Sequence, residues 1–204
     1  MLKLENITLK YGNAPIIDGL TYTFEDGLKY GIIGASGIGK TTLLNLISGL
    51  IKPTDGMIYN DHASVSVIFQ EPRLYPWLTA LDNVKLVQKD ENQARTLLSR
   101  LLIHDDDQSK YPDELSGGMK QRVSIARALS FEADLFLLDE PFKGLDAEMR
   151  SDIRADVFSA LNDKTVIIVT HDEDDLPYCD VILKLTDSPV KELKAEESGN
   201  FKTE

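Results

Sequence analysis

Residues Gly34-Ala35-Ser36-Gly37-Ile38-Gly39-Lys40-Thr41 follow the pattern G-x-x-x-x-G-K-[ST], in which glycines let backbone amides converge on phosphate oxygens at a helix N-terminus. In such a loop Lys40 would neutralise the β- and γ-phosphates of a nucleotide, and Thr41 would ligate Mg²⁺. Further on, Leu135-Phe136-Leu137-Leu138-Asp139-Glu140 puts two carboxylates at the end of an apolar strand, the sheet edge where α/β folds bind ligands. Asp139 would hold the magnesium, directly or through water. Glu140 would polarise the attacking water, as general base or by orienting it. Between these motifs lie Gln70 and Leu115-Ser116-Gly117-Gly118. A serine hydroxyl followed by two glycine amides at a helix start makes a second anion site, although taken alone it also reads as a helix cap.

The elements that must position these residues are readable around them. Leu2, Leu4 and Ile7, then Ile16, Ile17, Leu20, Tyr22 and Phe24, alternate between turn signals at Gly12-Asn13 and Asp26-Gly27, which predicts antiparallel strands. The apolar run 30–33 leads into the glycine-rich loop, and residues 42–47 have helical spacing, so the loop sits between strand and helix as its chemistry requires. Residues 52–56 break the chain and 65–69 read as another strand. A helical stretch runs from about 80 to 102 with a break at 89–92, and the acidic run 105–107 reads as a solvated linker. A helix over 116–129 and strands over 135–138, 166–169 and 181–183 complete a mainly parallel sheet with helices on both faces. The charged tail from residue 191 is expected to fray.

Composition narrows the function classes. At 204 residues, 42% of them hydrophobic, the chain can bury a substantial core. A formal net charge of −12 argues against broad nucleic-acid contact, because phosphate-backbone binding draws on a basic surface. Cys179 is the only cysteine, which rules out an intrachain disulfide and a cysteine metal cage and suits a reducing cytoplasmic compartment. No apolar stretch approaches the roughly 20 residues needed to span a bilayer, so a membrane role would come through a partner. His62 and His104 have no chemical setting.

The segment Leu115-Ser116-Gly117-Gly118-Met119-Lys120-Gln121-Arg122, shortly before the Asp-Glu strand, resembles the signature motif of ATP-binding cassette (ABC) proteins. The resemblance covers residues 11 to about 185. It implies an α/β P-loop NTPase fold of the ABC type: a mainly parallel core, an N-terminal antiparallel β subdomain and a helical subdomain at about 72–130. One cassette domain would then occupy 1–190, followed by the charged tail 191–204. ATP and Mg²⁺ are the implied cofactors. By the same resemblance Tyr11 stacks on adenine, the loop residues and Thr42 contact the nucleotide, and Gln70 reaches magnesium and water from a mobile loop. Asp146, in Lys143-Gly144-Leu145-Asp146, crosses a dimer interface, and His171 is the switch histidine at the γ-phosphate. In the family two subunits pair head to tail, so Ser116, Gly117 and Gly118 act on the nucleotide held by the other copy.

Residues 70–79, Gln-Glu-Pro-Arg-Leu-Tyr-Pro-Trp-Leu-Thr, are similar to the segment that faces the membrane permease in the nitrate, sulfonate and taurine importer branch. Either Trp77 fills a core gap, or Tyr75 and Trp77 are apolar anchors on a docking surface between Pro72 and Thr79. The resemblance implies the second, with an extracytoplasmic solute-binding protein as an indirect partner and a position on the inner face of the membrane. The short stretch between Gly56 and Val65 departs from that branch. Two other classes compete: an ABC ATPase acting on DNA or the ribosome, which the acidic charge and the lack of a long coiled-coil insertion oppose, and a P-loop small-molecule kinase, which leaves Ser116, Gly117, Gly118 and His171 unexplained.

Overall fold

The computed structural model describes residues 1–12 and 14–196, which divide into two compact units. The first comprises residues 1–65, 134–139 and 163 onward. Here β1 (Leu2–Tyr11) and β2 (Ala14–Phe24) pair antiparallel in a register that sets Leu2 opposite Phe24 and Leu4 opposite Tyr22. Alternation buries Leu2 and Leu4, and an irregularity in the register before Ile7, where Asn6 has φ +52°, shifts the pattern by one so that Ile7 and Leu9 are buried as well.

The second sheet of this unit is built on β3 (Lys29–Gly34), β6 (Leu135–Asp139), β7 (Thr165–Val169) and β8 (Val181–Leu185), with β6, β7, β3 and β8 adjacent in that order and parallel. Every residue of β6 and β7 is buried, as continuous apolar runs in central parallel strands require. Helix α1 (Lys40–Ile47) follows β3 and buries Leu43, Leu44, Leu46 and Ile47.

Two strands of the unit escape sequence reading. In β4 (Asp55–Asn60), paired with β1, no residue is buried, so no apolar alternation marks it, and its Gly56 resembles a chain break. That glycine is required for packing: a Cβ there would lie 2.3 Å from the Asn6 carbonyl oxygen, at φ +88°. The expectation of a fraying tail from residue 191 is corrected at β9 (Lys194–Glu196), which pairs antiparallel with β8, Leu183 opposite Ala195. Residues 197–204 of that tail and Asn13 lie outside the described residues.

The chain passes to the second unit within β5 (Val65–Ile68). That unit, residues 66–133 and 140–162, is helical: α2 (Ala80–Lys85), α3 (Glu91–Arg100), α4 (Asp105–Gln108), α5 (Gly117–Leu129) and α6 (Ala147–Ala160). Side-chain caps define the starts: Thr79 accepts from the Asp82 amide, Asp90 from those of Asn92 and Gln93, and Ser116 from that of Met119. Asp90 is the reason the stretch after residue 80 breaks into two helices. Arg122 of α5 anchors the end of α3, donating to the carbonyls of Leu101 (3.1 Å) and Leu102 (2.5 Å).

The acidic run 105–107 is not a solvated linker but the first turn of α4, a correction with a clear cause. Buried Gln108 ties the turn down by donating to the Ile103 carbonyl (3.1 Å) and the Ser99 hydroxyl (3.2 Å), and carboxylates are favourable at a helix start. Helix α6 also lacks a plain signal, because its buried face includes Arg154, which sits over the Phe142 ring at 5.6 Å.

Candidate functional site

Strand register brings the glycine-rich loop and two other candidate residues to one end of the first unit's parallel sheet. Ile32 of β3 and Asp139 of β6 both pair with Val169 of β7, so the three residues stand abreast. Two positions beyond Ile32 the chain turns at Gly34 into the glycine-rich loop, and two beyond Val169 lies His171. The loop, Asp139 and His171 therefore share the carboxyl edge of one parallel sheet. A Cβ on Gly34 would come within 2.8 Å of the Leu185 carbonyl oxygen of β8, and Gly39 opens α1 at φ +119° with no side chain to cap it. The first amides of α1 are thus left to the loop and whatever it holds. Lys40 is buried and its Nζ donates to the carbonyls of Gly34 (2.7 Å) and Ala35 (2.9 Å), which fixes the cation on the loop itself.

Around this core the other predicted residues fall as follows. Thr41 is exposed and Thr42 half-buried on α1, and Ala35, Ser36 and Gly37 are exposed in the loop with Ile38 half-buried. Asp139 is buried at its strand end. Tyr11 is 59% exposed at the end of β1 and pairs with Ala14 of β2. Ile16, two residues on, reaches the loop: its Cγ2 would lie 3.1 Å from a Cβ on Gly39. That contact ties the antiparallel sheet to the loop, and nothing in the sequence pattern shows it. Sequence reading also missed Thr170 and Asp175. Their buried side chains hydrogen-bond each other, and the Thr170 hydroxyl accepts from the Asp172 amide (3.0 Å), which fixes the chain on both sides of exposed His171.

A cleft of about 580 Å³ in the same unit, lined by Asp26, Asp61, His62, Asp134 and Lys164 among others, shares no residue with the phosphate loop. His62 belongs there, 3.3 Å from Asp26, and His104 precedes α4, so neither joins the candidate site.

The second unit carries the remaining candidates. Gln70 Nε2 donates to Glu140 Oε2 at 3.3 Å, bringing together two residues 70 positions apart. Glu140 has φ +46°, a left-handed conformation that costs a non-glycine residue about 1–2 kcal/mol and that concentrates at functional positions. Ser116 is exposed at the N-cap of α5, Gly117 opens the helix, and Gly118 packs so tightly that a Cβ would lie 3.1 Å from the Gly144 carbonyl oxygen. Asp146 is exposed at the start of α6.

The segment after Gln70 is held from beneath. Arg127 of α5 donates to the carbonyls of Pro72 (3.2 Å) and Arg73 (3.1 Å), and Arg73 lies 3.7 Å over the Phe69 ring. Burial pulls the Arg127 guanidinium below its ordinary pKa, and the charge is satisfied by these carbonyls. Trp77 is 67% exposed with Tyr75 beside it at 5.3 Å between ring centroids, so the tryptophan does not fill a core gap.

A parallel sheet with a glycine-rich phosphate loop after one strand, an aspartate ending a second and a histidine following a third defines a P-loop nucleotide-binding protein. Residues 17–143 match the ABC transporter family, and the chain belongs to it as an ATP-hydrolysing cassette. It is 36% identical to the bicarbonate transport ATP-binding protein CmpD of Synechocystis sp., over 92% of this chain and 75% of that one. It is 36% identical to the nitrate import ATP-binding protein NrtD of Synechococcus elongatus (85% and 70% covered) and 38% identical to the aliphatic sulfonates import ATP-binding protein SsuB of Zymomonas mobilis (87% and 78%). Among solved structures, the dimeric post-hydrolysis state of the ATP-binding cassette MJ0796 bound to ADP and Pi is similar at a TM-score of 0.87 and 30% identity, over 98% of this chain and 100% of that one. Among the described residues no helix is long and apolar enough to cross a membrane.

Proposed function

We propose that this chain is the energy-coupling ATPase of an importer for a small anionic solute of the bicarbonate, nitrate or sulfonate kind, the solutes named for its relatives. The observation that carries the ATPase reading is the register that sets Ile32, Asp139 and Val169 abreast and so brings the phosphate loop, a carboxylate and His171 to one sheet edge. Tyr11 would stack on the base, the loop amides and Lys40 would take the β- and γ-phosphates, and His171 would contact the γ-phosphate. Glu140, with Gln70 beside it, would orient the attacking water or take its proton.

Thr41, Asp139 and Gln70 offer only oxygen donors, which suit magnesium, and they would hold it. When bound, the ion supplies charge neutralisation on the phosphate oxygens. A head-to-tail pair of copies would bring Ser116, Gly117 and Gly118 of one cassette, with Asp146 nearby in sequence to the loop they pack on, to the nucleotide of the other. The exposed Tyr75 and Trp77 would dock a permease on the cytoplasmic side of the membrane. The solute itself would be chosen by that permease and its binding protein.

Glu140→Gln tests this reading. ATP binding should persist while turnover falls about 100-fold or more, and ATP should trap a dimer visible by size exclusion. Turnover at the wild-type rate would remove Glu140 from its role.

A further inference from the structure

Glu140 is already occupied. Its Oε2 lies 2.6 Å from Lys143 Nζ and also accepts from Gln70 at 3.3 Å, and its side chain is only 16% exposed. A carboxylate that must orient water or take a proton needs an oxygen turned towards that water. An ammonium at 2.6 Å and an amide at 3.3 Å both hold Oε2, and with it the orientation of the whole carboxylate. The Lys143 contact therefore opposes the role assigned to Glu140, and it must open before the residue can act.

Lys143 stands where it can be moved. It is 57% exposed, and its backbone amide closes a turn on the Glu140 carbonyl (3.1 Å). The same turn rests on α5: Gln121 Nε2 donates to the Pro141 carbonyl (2.9 Å), and Gly118 faces the Gly144 carbonyl oxygen so closely that no Cβ fits without a shift. The loop that carries Lys143 is thus packed against the serine-glycine end of α5, the second anion site. Any displacement of that end when it meets phosphate reaches Gly144 first and Lys143 next.

We propose that Lys143 is a positioning residue that holds the Glu140 carboxylate out of use until the loop at 141–146 is displaced from its packing on the Ser116 end of α5. In a head-to-tail pair, engagement of this end by the other copy's nucleotide releases the Glu140 of the same chain, so each site licenses the other. The inference rests on Glu140 as the group that activates water.

The test uses purified full-length protein with MgATP, comparing wild type with Lys143→Ala, Lys143→Arg and Glu140→Gln. Lys143→Ala should raise kcat about two- to fivefold, the range a partly exposed ion pair supports, with KM for ATP unchanged. Lys143→Arg should return kcat to the wild-type value. Added salt should raise wild-type turnover and leave that of Lys143→Ala flat. A readout independent of turnover is the side-chain carboxyl ¹³C resonance of Glu140, assigned by its loss in Glu140→Gln. It should shift in Lys143→Ala, and in wild type it should move towards that position with a non-hydrolysable ATP analogue. An unchanged or lowered kcat in Lys143→Ala, or a Glu140 resonance indifferent to the substitution, overturns the proposal. Glu140→Gln separates the two failures: if it still turns over, the assignment of Glu140 is at fault, and if it is inactive while Lys143→Ala is not accelerated, only the restraint by Lys143 is.

Discussion

Replacing Asn83 by alanine should loosen residues 75–79 while leaving the phosphate loop intact. Asn83 is fully buried on α2. Its Nδ2 donates to the carbonyls of Tyr75 (3.2 Å), Leu78 (3.1 Å) and Thr79 (3.0 Å), and its Oδ1 accepts from the Tyr75 amide (2.8 Å). One amide has two protons, so three carbonyls share two donors and the side chain supplies about three hydrogen bonds in all. At about 1 kcal/mol net each, the loss is on the order of 3 kcal/mol if the backbone groups stay buried. Tyr75 and Trp77 are exposed, so the segment can instead open to water, and the global loss is then capped at the free energy of that opening. For a chain of this size about 3 kcal/mol corresponds to roughly 6–12 °C in Tm. Thermal unfolding together with hydrogen exchange resolved to residues 75–79 distinguishes the outcomes. Either Tm falls by several degrees, or it moves less and the segment loses protection. Asn83→Asp should also fall short of wild type, because its carboxylate faces three carbonyl oxygens, a repulsion that Arg127 Nη1, 3.5 Å from Asn83 Oδ1, offsets only in part. The reasoning fails if Asn83→Ala changes neither Tm nor exchange, or if Asn83→Asp is as stable as wild type.

Gly34→Ala should weaken ATP binding, measured by calorimetry, because its Cβ would meet the Leu185 carbonyl oxygen at 2.8 Å and push the loop off β8; unchanged affinity would show that the close approach relaxes without cost. Ser116→Ala should cost about 1 kcal/mol of stability in urea unfolding through loss of the cap on the Met119 amide, and should lower turnover by more than that stability loss explains. Burial, followed by Asp175 and Asp180, pushes the Cys179 thiol up to about 12. At pH 8 it should therefore react with a thiol reagent only on unfolding. The unfolded thiol ionises near its ordinary value of about 8.5, so this group's contribution to stability is complete below that pH and is lost as pH rises towards about 12. Rapid labelling of the native protein at pH 8 would contradict the burial.

Legibility followed the range of the interactions. Residues 34–41 declare their chemistry locally, since the glycines, Lys40 and Thr41 are adjacent and each is needed for a reason visible at its own position. The apolar runs of β6 and β7 were equally plain, because a central parallel strand is buried on both faces. Strand β4 was hidden because none of its residues is buried, and Gly56, which looks like a breaker, is there so that the Asn6 carbonyl can approach. Helix α6 was hidden because an arginine shares its buried face. The run of aspartates at 105–107 looked like linker because Gln108, the residue that folds it into a turn, is polar and finds its partners only in the fold.

By itself the chain's sequence determined that a glycine-rich loop with the phosphate-binding pattern would stand at residues 34–41 between strand and helix, that carboxylates at 139 and 140 would stand at the end of a buried strand, and that a second glycine-rich helix start would lie between them. These are statements about neighbours along the chain, where backbone freedom and local periodicity decide. The tertiary structure decided which distant groups meet: Ile32, Asp139 and Val169 abreast in one sheet, Ile16 against Gly39, Gln70 and Lys143 on the same oxygen of Glu140. Register and packing set those contacts, and their energies depend on burial that no single segment possesses until the others have folded around it.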